Sequence, residues 1–466
     1  MKLRDCIKEE PGFQYVADQM ELLSPLGRQA LLEQPFVAQP QALEAAWSEV
    51  EQMVSTLRDA EKRTQMQTLR HVFMQLHDIG GSVRNLEGRV LLNEVELFEI
   101  KQFAHLSMEA ARHAESLGLQ ELLQLPDLRE VFQLLDPDGT GLPHFYIYDS
   151  YAPQLTPLRK ELRAAQQQPD ENASKIAELL AQQHEIEQRV IAELCDKLHP
   201  YAALLAEAMA RLGHADLLNA KAQQALDWNL CRPRIAEKST RFVQLVNPRL
   251  QQHNRNQGLP YQPVDIEIGQ GLCLITGANM AGKTVLLKSV GVAQLMAQTG
   301  MYAPAAEAWI VPVEEVAFCI GDEQNEMNGL SSFASEITKI SSTLQRARQQ
   351  RMLVLIDEPA RTTNPIEGKA IVQALAQMLQ QCPGLALVTT HYPQLGVDCR
   401  RLRVKGFDEH RSDKALTPQN ISHFIDYSLT EDLTDDVPHE ALRIASILGC
   451  DAPMLELASQ LLENGK

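Results

Sequence analysis

Residues Gly277-Ala278-Asn279-Met280-Ala281-Gly282-Lys283-Thr284 constrain the fold more than any other part of this 466-residue chain. They fit G-x-x-x-x-G-K-[ST]. An apolar run, Gly271–Thr276, precedes them and an apolar helical stretch follows. That strand–loop–helix context is the one in which the pattern has physical meaning. Glycines let the backbone curl until its N–H groups face phosphate oxygens. The helix N-terminus adds a positive partial charge. Gly277, Asn279, Met280, Ala281, Gly282, Lys283 and Thr284 are therefore read as an ATP-binding loop. Lys283 pairs with the β- and γ-phosphates and the Thr284 hydroxyl binds Mg²⁺.

About 70 residues further on, Met352-Leu353-Val354-Leu355-Ile356 runs into Asp357-Glu358, a spacing compatible with one α/β sheet in which ligands bind beyond the C-terminal strand ends. Asp357 is read as a second Mg²⁺ ligand. Glu358 is read as the base that orients or deprotonates the attacking water. An acidic pair at a helix N-terminus, stabilised by the dipole alone, is the plainer alternative. A third apolar run, Leu385–Thr389, leads into Thr390-His391-Tyr392. His391 is read as a sensor of the γ-phosphate, against a purely structural histidine.

These three continuous apolar runs suit a parallel sheet covered on both faces. Residues 1 to about 240 read instead as helices, with Leu31, Leu43, Val50, Met53 and Leu57 near helical spacing. The stretch Asp136-Pro137-Asp138-Gly139-Thr140-Gly141 interrupts them. Its Asp-x-Asp spacing resembles a calcium loop, but the twelfth position is Ile147 where a bidentate Glu is needed, so an ordinary turn is expected. Residues 155–199 predict a helical hairpin broken at Gln168-Pro169-Asp170. Between Thr156 and His199 it carries six basic and eight acidic residues, a balance ill suited to gripping DNA. Pro438 to Leu462 predicts two short helices broken at Gly449 and Pro453.

Charge bears on the partner. Lys plus Arg number 43 against 61 Asp plus Glu, a net −18. Phosphate contacts supply most non-specific DNA affinity, so this balance favours no polyanion at the level of the whole chain. The eight cysteines include no C-x-x-C pair, which argues for reduced thiols over a metal or disulfide framework. No run of about 18 apolar residues is present, and the N-terminus lacks an apolar signal core. A cytoplasmic protein without a membrane span is expected.

Together these segments resemble the MutS family, whose ATPase is built like an ABC cassette. Gly277–Thr284 resembles that family's phosphate loop, and Gly329-Leu330-Ser331-Ser332-Phe333-Ala334-Ser335-Glu336 its signature segment. The resemblance implies that Ser331 contacts the γ-phosphate held by the opposite subunit of a homodimer. On the residues alone, Ser331-Ser332 reads as a helix N-cap. Asp357 to Gly368 is similar to the dimer-contact segment, except that Ala360 and Thr362 stand where glycines are usual. Ile320–Gln324 and Asn364-Pro365-x-Glu367-Gly368 are similar to the second bacterial MutS branch. That branch acts in recombination control and ribosome rescue.

Leu23–Leu32 and Ala222–Pro233 resemble the start and return of the family's lever, and Glu440–Gly449 its dimerising helices. The implied architecture is a helical lever and core domain (1–240) with a shortened clamp hairpin at about 155–199. An ABC-type α/β ATPase (241–430) follows, then a helical dimerisation tail (431–466). No mismatch-reading, connector or nuclease-like segment is legible in the chain. The resemblance implies a dimeric ATPase in which ATP and Mg²⁺ switch helical levers that bind branched or distorted DNA. The alternative is a protein-remodelling ATPase with a protein client, such as the reactivase of a B12-dependent aminomutase.

Overall fold

A computed structural model describes residues 2–141, 145–277, 282–321, 332–408, 421–432, 442, 445, 446 and 449–464. The chain is helical in its N-terminal part and mixed α/β beyond it. Contacts divide it into two compact units that interleave along the sequence. One comprises residues 1–20, 34–51 and 224–466, the other 21–33 and 52–223. Residues 1–51 are thus divided between the two units, which helical periodicity does not reveal, because it reports that a face is buried, not which core buries it.

The α/β unit contains two sheets. In the first, β1 (Arg234–Ile235), β2 (Ser239–Leu245), β3 (Val264–Gly269) and β5 (Glu307–Ile310) lie in the order β1-β5-β2-β3. The second contains β4 (Gly271–Thr276), β6 (Glu315–Cys319), β7 (Met352–Ile356), β8 (Leu385–Thr389), β9 (Arg400–Phe407) and β10 (Ile425–Glu431). Its order is β10-β9-β4-β8-β7-β6, parallel throughout except for β10, which pairs antiparallel with β9. Strands β7 and β8 are buried at every residue, as a parallel sheet covered on both faces requires.

Helix Lys283–Gln298 is buried along most of its length and lies against this sheet. Its C-terminal end is tied to the N-terminal segment of the same unit. The Trp47 indole donates to the Ala297 carbonyl (2.9 Å) and the Gln298 side chain donates to the Val37 carbonyl (2.7 Å). The Val37 amide donates to the Gln298 carbonyl.

Among the described residues, the regular elements of the second unit are all helices. Its segment 155–198 forms two helices, Leu155–Ala165 and Pro169–Leu198, with Leu158, Leu162, Ala165, Ile176 and Leu179 packed between them. Pro169 starts the second helix at a position where no N–H is needed. Likewise Pro453, expected to break the tail, stands in the first turn of helix Ala452–Asn464. Among the described residues, no helix is long and apolar enough to cross a membrane.

The Asp136 turn anchors this unit through hydrogen bonds and an ion pair. The Asp136 carboxylate accepts from Lys101 Nζ (3.0 Å), Thr140 Oγ1 (2.9 Å) and the Gly141 amide (2.8 Å). Burial pushes its pKa up, but the Gly141 N–H, Lys101 and Thr140 outweigh burial and hold the carboxyl down at about 2. Both partners are almost fully buried, at 3% and 1% side-chain exposure. Lys101→Met leaves a buried carboxylate without its cation, so a loss of about 3–5 kcal/mol is expected. Urea denaturation of the parent and variant measures it, and a loss below about 1 kcal/mol contradicts the anchoring role. The folded pKa lies below the unfolded value of about 3.9. The stabilisation is therefore complete above about pH 4 and lost as pH falls towards 2.

Candidate nucleotide site

Register brings the candidate residues to one sheet edge. Ile275 pairs with Thr389, and Ile356 pairs with Val388. The next residue after Ile356, Asp357, therefore stands beside Thr389, and all lie at the C-terminal ends of parallel strands. Between β4 and helix Lys283–Gln298, Gly277 (φ +132°) and Gly282 (φ +78°) hold backbone conformations that side-chain-bearing residues avoid. Asn279, Met280 and Ala281 lie outside the described residues, as does Ser331.

Lys283 is buried. Its ammonium donates to the Gly277 carbonyl (2.7 Å) and lies 3.1 Å from Glu358 Oε1. Arg361 is a second cation near that carboxylate, 3.6 Å from Oε2. The Thr284 hydroxyl donates to Asp357 Oδ2 (2.6 Å). The other carboxylate oxygen, Oδ1, accepts from the Thr389 hydroxyl, also at 2.6 Å. The same Thr389 oxygen accepts the Glu358 amide (2.9 Å).

His391 is half-buried and its ring packs on Tyr392. Burial lowers its pKa below the ordinary histidine value; Lys283 and Arg361 add to this, while Glu358 opposes it. Burial thus favours the neutral imidazole, which lies within electrostatic reach of Glu358, Lys283 and Arg361.

The backbone after β7 is strained. Glu358 (φ +42°) and Ala360 (φ +60°) both occupy the left-handed region. For residues with a Cβ this costs roughly 1–2 kcal/mol each. A glycine at position 360 would hold such a conformation without that cost. Here other groups hold it. The Ala360 amide donates to Glu336 Oε1 (3.1 Å), and the Tyr392 hydroxyl donates to the Ala360 carbonyl (3.4 Å). Burial raises the Glu336 pKa, against the Ala360 N–H and Arg361, which lower it.

The oxygen donors Thr284 and Asp357 suit a hard cation. Two protein ligands, with phosphate and water completing the shell, is the usual arrangement for Mg²⁺. Among the described residues no cluster of three or more His, Cys, Asp or Glu offers a competing metal site.

Beside Gly282 lies a cavity of about 370 Å³, lined among others by Tyr261, Val285, Leu286, Val404 and Tyr427. A Cβ at Gly282 would come within 3.0 Å of the Tyr427 ring, so the glycine also allows close approach to that ring. Sequence reasoning missed Tyr261 and Tyr427, which are distant in sequence and belong to no pattern. It also missed Thr389 and Glu336 as partners of the acidic turn. Only the position of Thr389 beside His391 hinted at a role.

Residues 273–463 match the family model for MutS domain V. Several curated relatives carry the name Endonuclease MutS2. The one from Pediococcus pentosaceus is 37% identical over 219 residues, 46% of this chain and 27% of that protein. That from Thermomicrobium roseum is 38% identical over 226 residues, 47% and 28% of the two chains. A third, from Streptococcus thermophilus, is 28% identical over 426 residues, which is 74% of this chain and 52% of that protein. The chain thus spans about half, or less, of the length of the curated relatives it matches.

Proposed function

The chain belongs to the MutS family, and on that premise we propose that it is a dimeric P-loop ATPase of the ABC type. The observation that carries the reading is the convergence of Lys283, Thr284, Asp357 and Glu358 at one strand edge. Lys283 takes the β- and γ-phosphates, and Thr284 and Asp357 hold Mg²⁺, which neutralises charge on the phosphates when bound. Glu358 receives the proton of the attacking water. Neutral His391 donates to, or accepts from, groups at the γ-phosphate without adding charge. The apolar cavity beside Gly282 is of a size to take the base. Ser331 of the opposite chain completes the site.

Two features support transmission to the helices. The far end of helix Lys283–Gln298 is hydrogen-bonded to residues 37 and 47. Two of the four boundaries between the compact units fall inside helices, Pro40–Arg58 and Ala202–Asp227. A ligand shifts such an equilibrium only through differential contacts with its two states. Lys283 and Ser331, approaching one γ-phosphate from opposite chains, supply that difference. Helix Ala452–Asn464 exposes Met454, Leu457 and Leu461 along one side, which supports a dimerising tail.

For the partner, family membership favours DNA of branched or distorted form. Charge favours the second reading, a protein-remodelling ATPase. Within the hairpin, Arg159, Lys175 and Arg189 lie within ion-pair distance of Glu187, Glu161 and Glu185 respectively. That neutralises much of its positive charge. Mg²⁺-dependent ATP hydrolysis by the purified chain tests the first part. Binding to branched DNA over a salt series tests the second. Phosphate contacts predict affinity falling steeply between about 50 and 200 mM salt. No binding at about 50 mM salt assigns the chain to the protein-remodelling reading.

A further inference from the structure

We infer that Thr389 and Glu336 are positioning residues that bracket the turn Asp357–Ala360 and so set where Glu358 points. The inference rests on the ATPase reading for its chemistry, but its geometry stands independently. Two residues of this turn, Glu358 and Ala360, are left-handed without being glycine. They are the same two whose amides are captured by side chains from other elements. A strained backbone persists only when its surroundings over-determine it.

The two captures differ in kind. Thr389 ends a core strand and is fully buried. Its hydroxyl uses both of its capacities, donating to Asp357 Oδ1 and accepting the Glu358 amide. It therefore fixes the rotation of the carboxylate that would hold Mg²⁺, and the backbone of the base, through one oxygen atom. Glu336 belongs instead to helix Ser332–Ala347, which packs on β6, β7 and helix Pro365–Gln380. It reaches the turn from an element other than β8, so the turn is held by both a strand and a helix. A displacement of that helix releases Ala360 first and Glu358 with it. The helix thus acts on the base through the turn, without touching substrate.

Four variants of the full chain test this: Thr389→Val, Thr389→Ser, Glu336→Leu and Glu336→Gln. Valine keeps the shape of threonine and removes the hydroxyl, whereas serine keeps the hydroxyl. Leucine removes the acceptor that glutamine retains. In nucleotide-free protein, amide deuterium exchange across residues 357–364 is expected to quicken about fivefold in Thr389→Val and Glu336→Leu. Thr389→Ser and Glu336→Gln are expected to exchange at close to the parental rate. Groups that orient a metal ligand typically change metal affinity or activity by about 10- to 100-fold. Thr389→Val is thus expected to lower kcat for ATP and raise the Mg²⁺ concentration for half-activation by about that factor. KM for ATP at saturating Mg²⁺ changes little.

Parental exchange in both Thr389→Val and Glu336→Leu overturns the inference, whatever the activity. So does an equal loss in the conservative pair, because then bulk rather than the hydrogen bonds matters. Quickened exchange in Thr389→Val and Glu336→Leu, with a parent chain that hydrolyses no ATP, leaves the bracket standing and removes the ATPase reading.

Discussion

Glu358→Ala is expected to lower kcat for ATP hydrolysis by about 10²- to 10⁴-fold, the range for loss of a positioned general base. The expectation comes from where the carboxylate stands. It follows the strand whose Asp357 is held by Thr284, and its Oε1 is 3.1 Å from Lys283. ATP binding is expected to survive and to tighten modestly. Without Glu358 the buried ammonium loses an anionic neighbour and has more to gain from a phosphate. Because hydrolysis opens the proposed dimer, the variant should accumulate as the closed, nucleotide-bound form. Steady-state turnover and equilibrium binding of ATP, measured on one preparation, check both halves. Turnover at the parental rate removes Glu358 as the base.

Lys283→Ala is expected to act on the other term. The ammonium is 3% exposed and is held by the Gly277 carbonyl at the root of the loop. A hydrogen bond to a charged group contributes about 1.5–3 kcal/mol, so the Kd for ATP should rise by about 10- to 150-fold. Closure driven by ATP should vanish with it. The substitution also leaves Glu358 without its nearest cation, so a small fall in thermal stability is expected beside the loss of binding. Isothermal titration with Mg·ATP measures the affinity. Unchanged affinity contradicts the assignment of the loop, however much turnover falls.

Much of the α/β unit is legible in the chain because its signals are local. Gly271–Thr276, Met352–Ile356 and Leu385–Thr389 are short apolar runs, and each is a core strand of the parallel sheet. The glycines at 277 and 282 are legible for the same reason, since side-chain-bearing residues rarely hold φ of +132° or +78°. What escapes is long-range. Trp47 reads as one more apolar position on an amphipathic helix, and its bond to Ala297, 250 residues away, leaves no trace in spacing. Glu336 reads as a glutamate in the first turns of its own helix, though its oxygen serves Ala360. The first sheet is also hidden. Its strands β1 and β5 pair in parallel across a wide gap in sequence, and β1 is two residues long. Asp136 shows the opposite error of emphasis. Its turn reads as unremarkable once calcium is set aside, yet its carboxylate is a buried anchor of the helical unit.

The shared site between two chains is tested most directly by complementation. One tagged chain carries Lys283→Ala and the other Ser331→Ala, and the two are co-expressed and purified through both tags. Each variant alone is expected to hydrolyse almost no ATP. In the mixed dimer, the Ser331→Ala chain contributes an intact Lys283, and its partner contributes an intact Ser331 to the same nucleotide. One of two sites is then whole, so about half of the parental activity per dimer should return, given a two-fold symmetric parent. A mixed dimer that is present in full but as inactive as its parents contradicts a triphosphate enclosed by two chains.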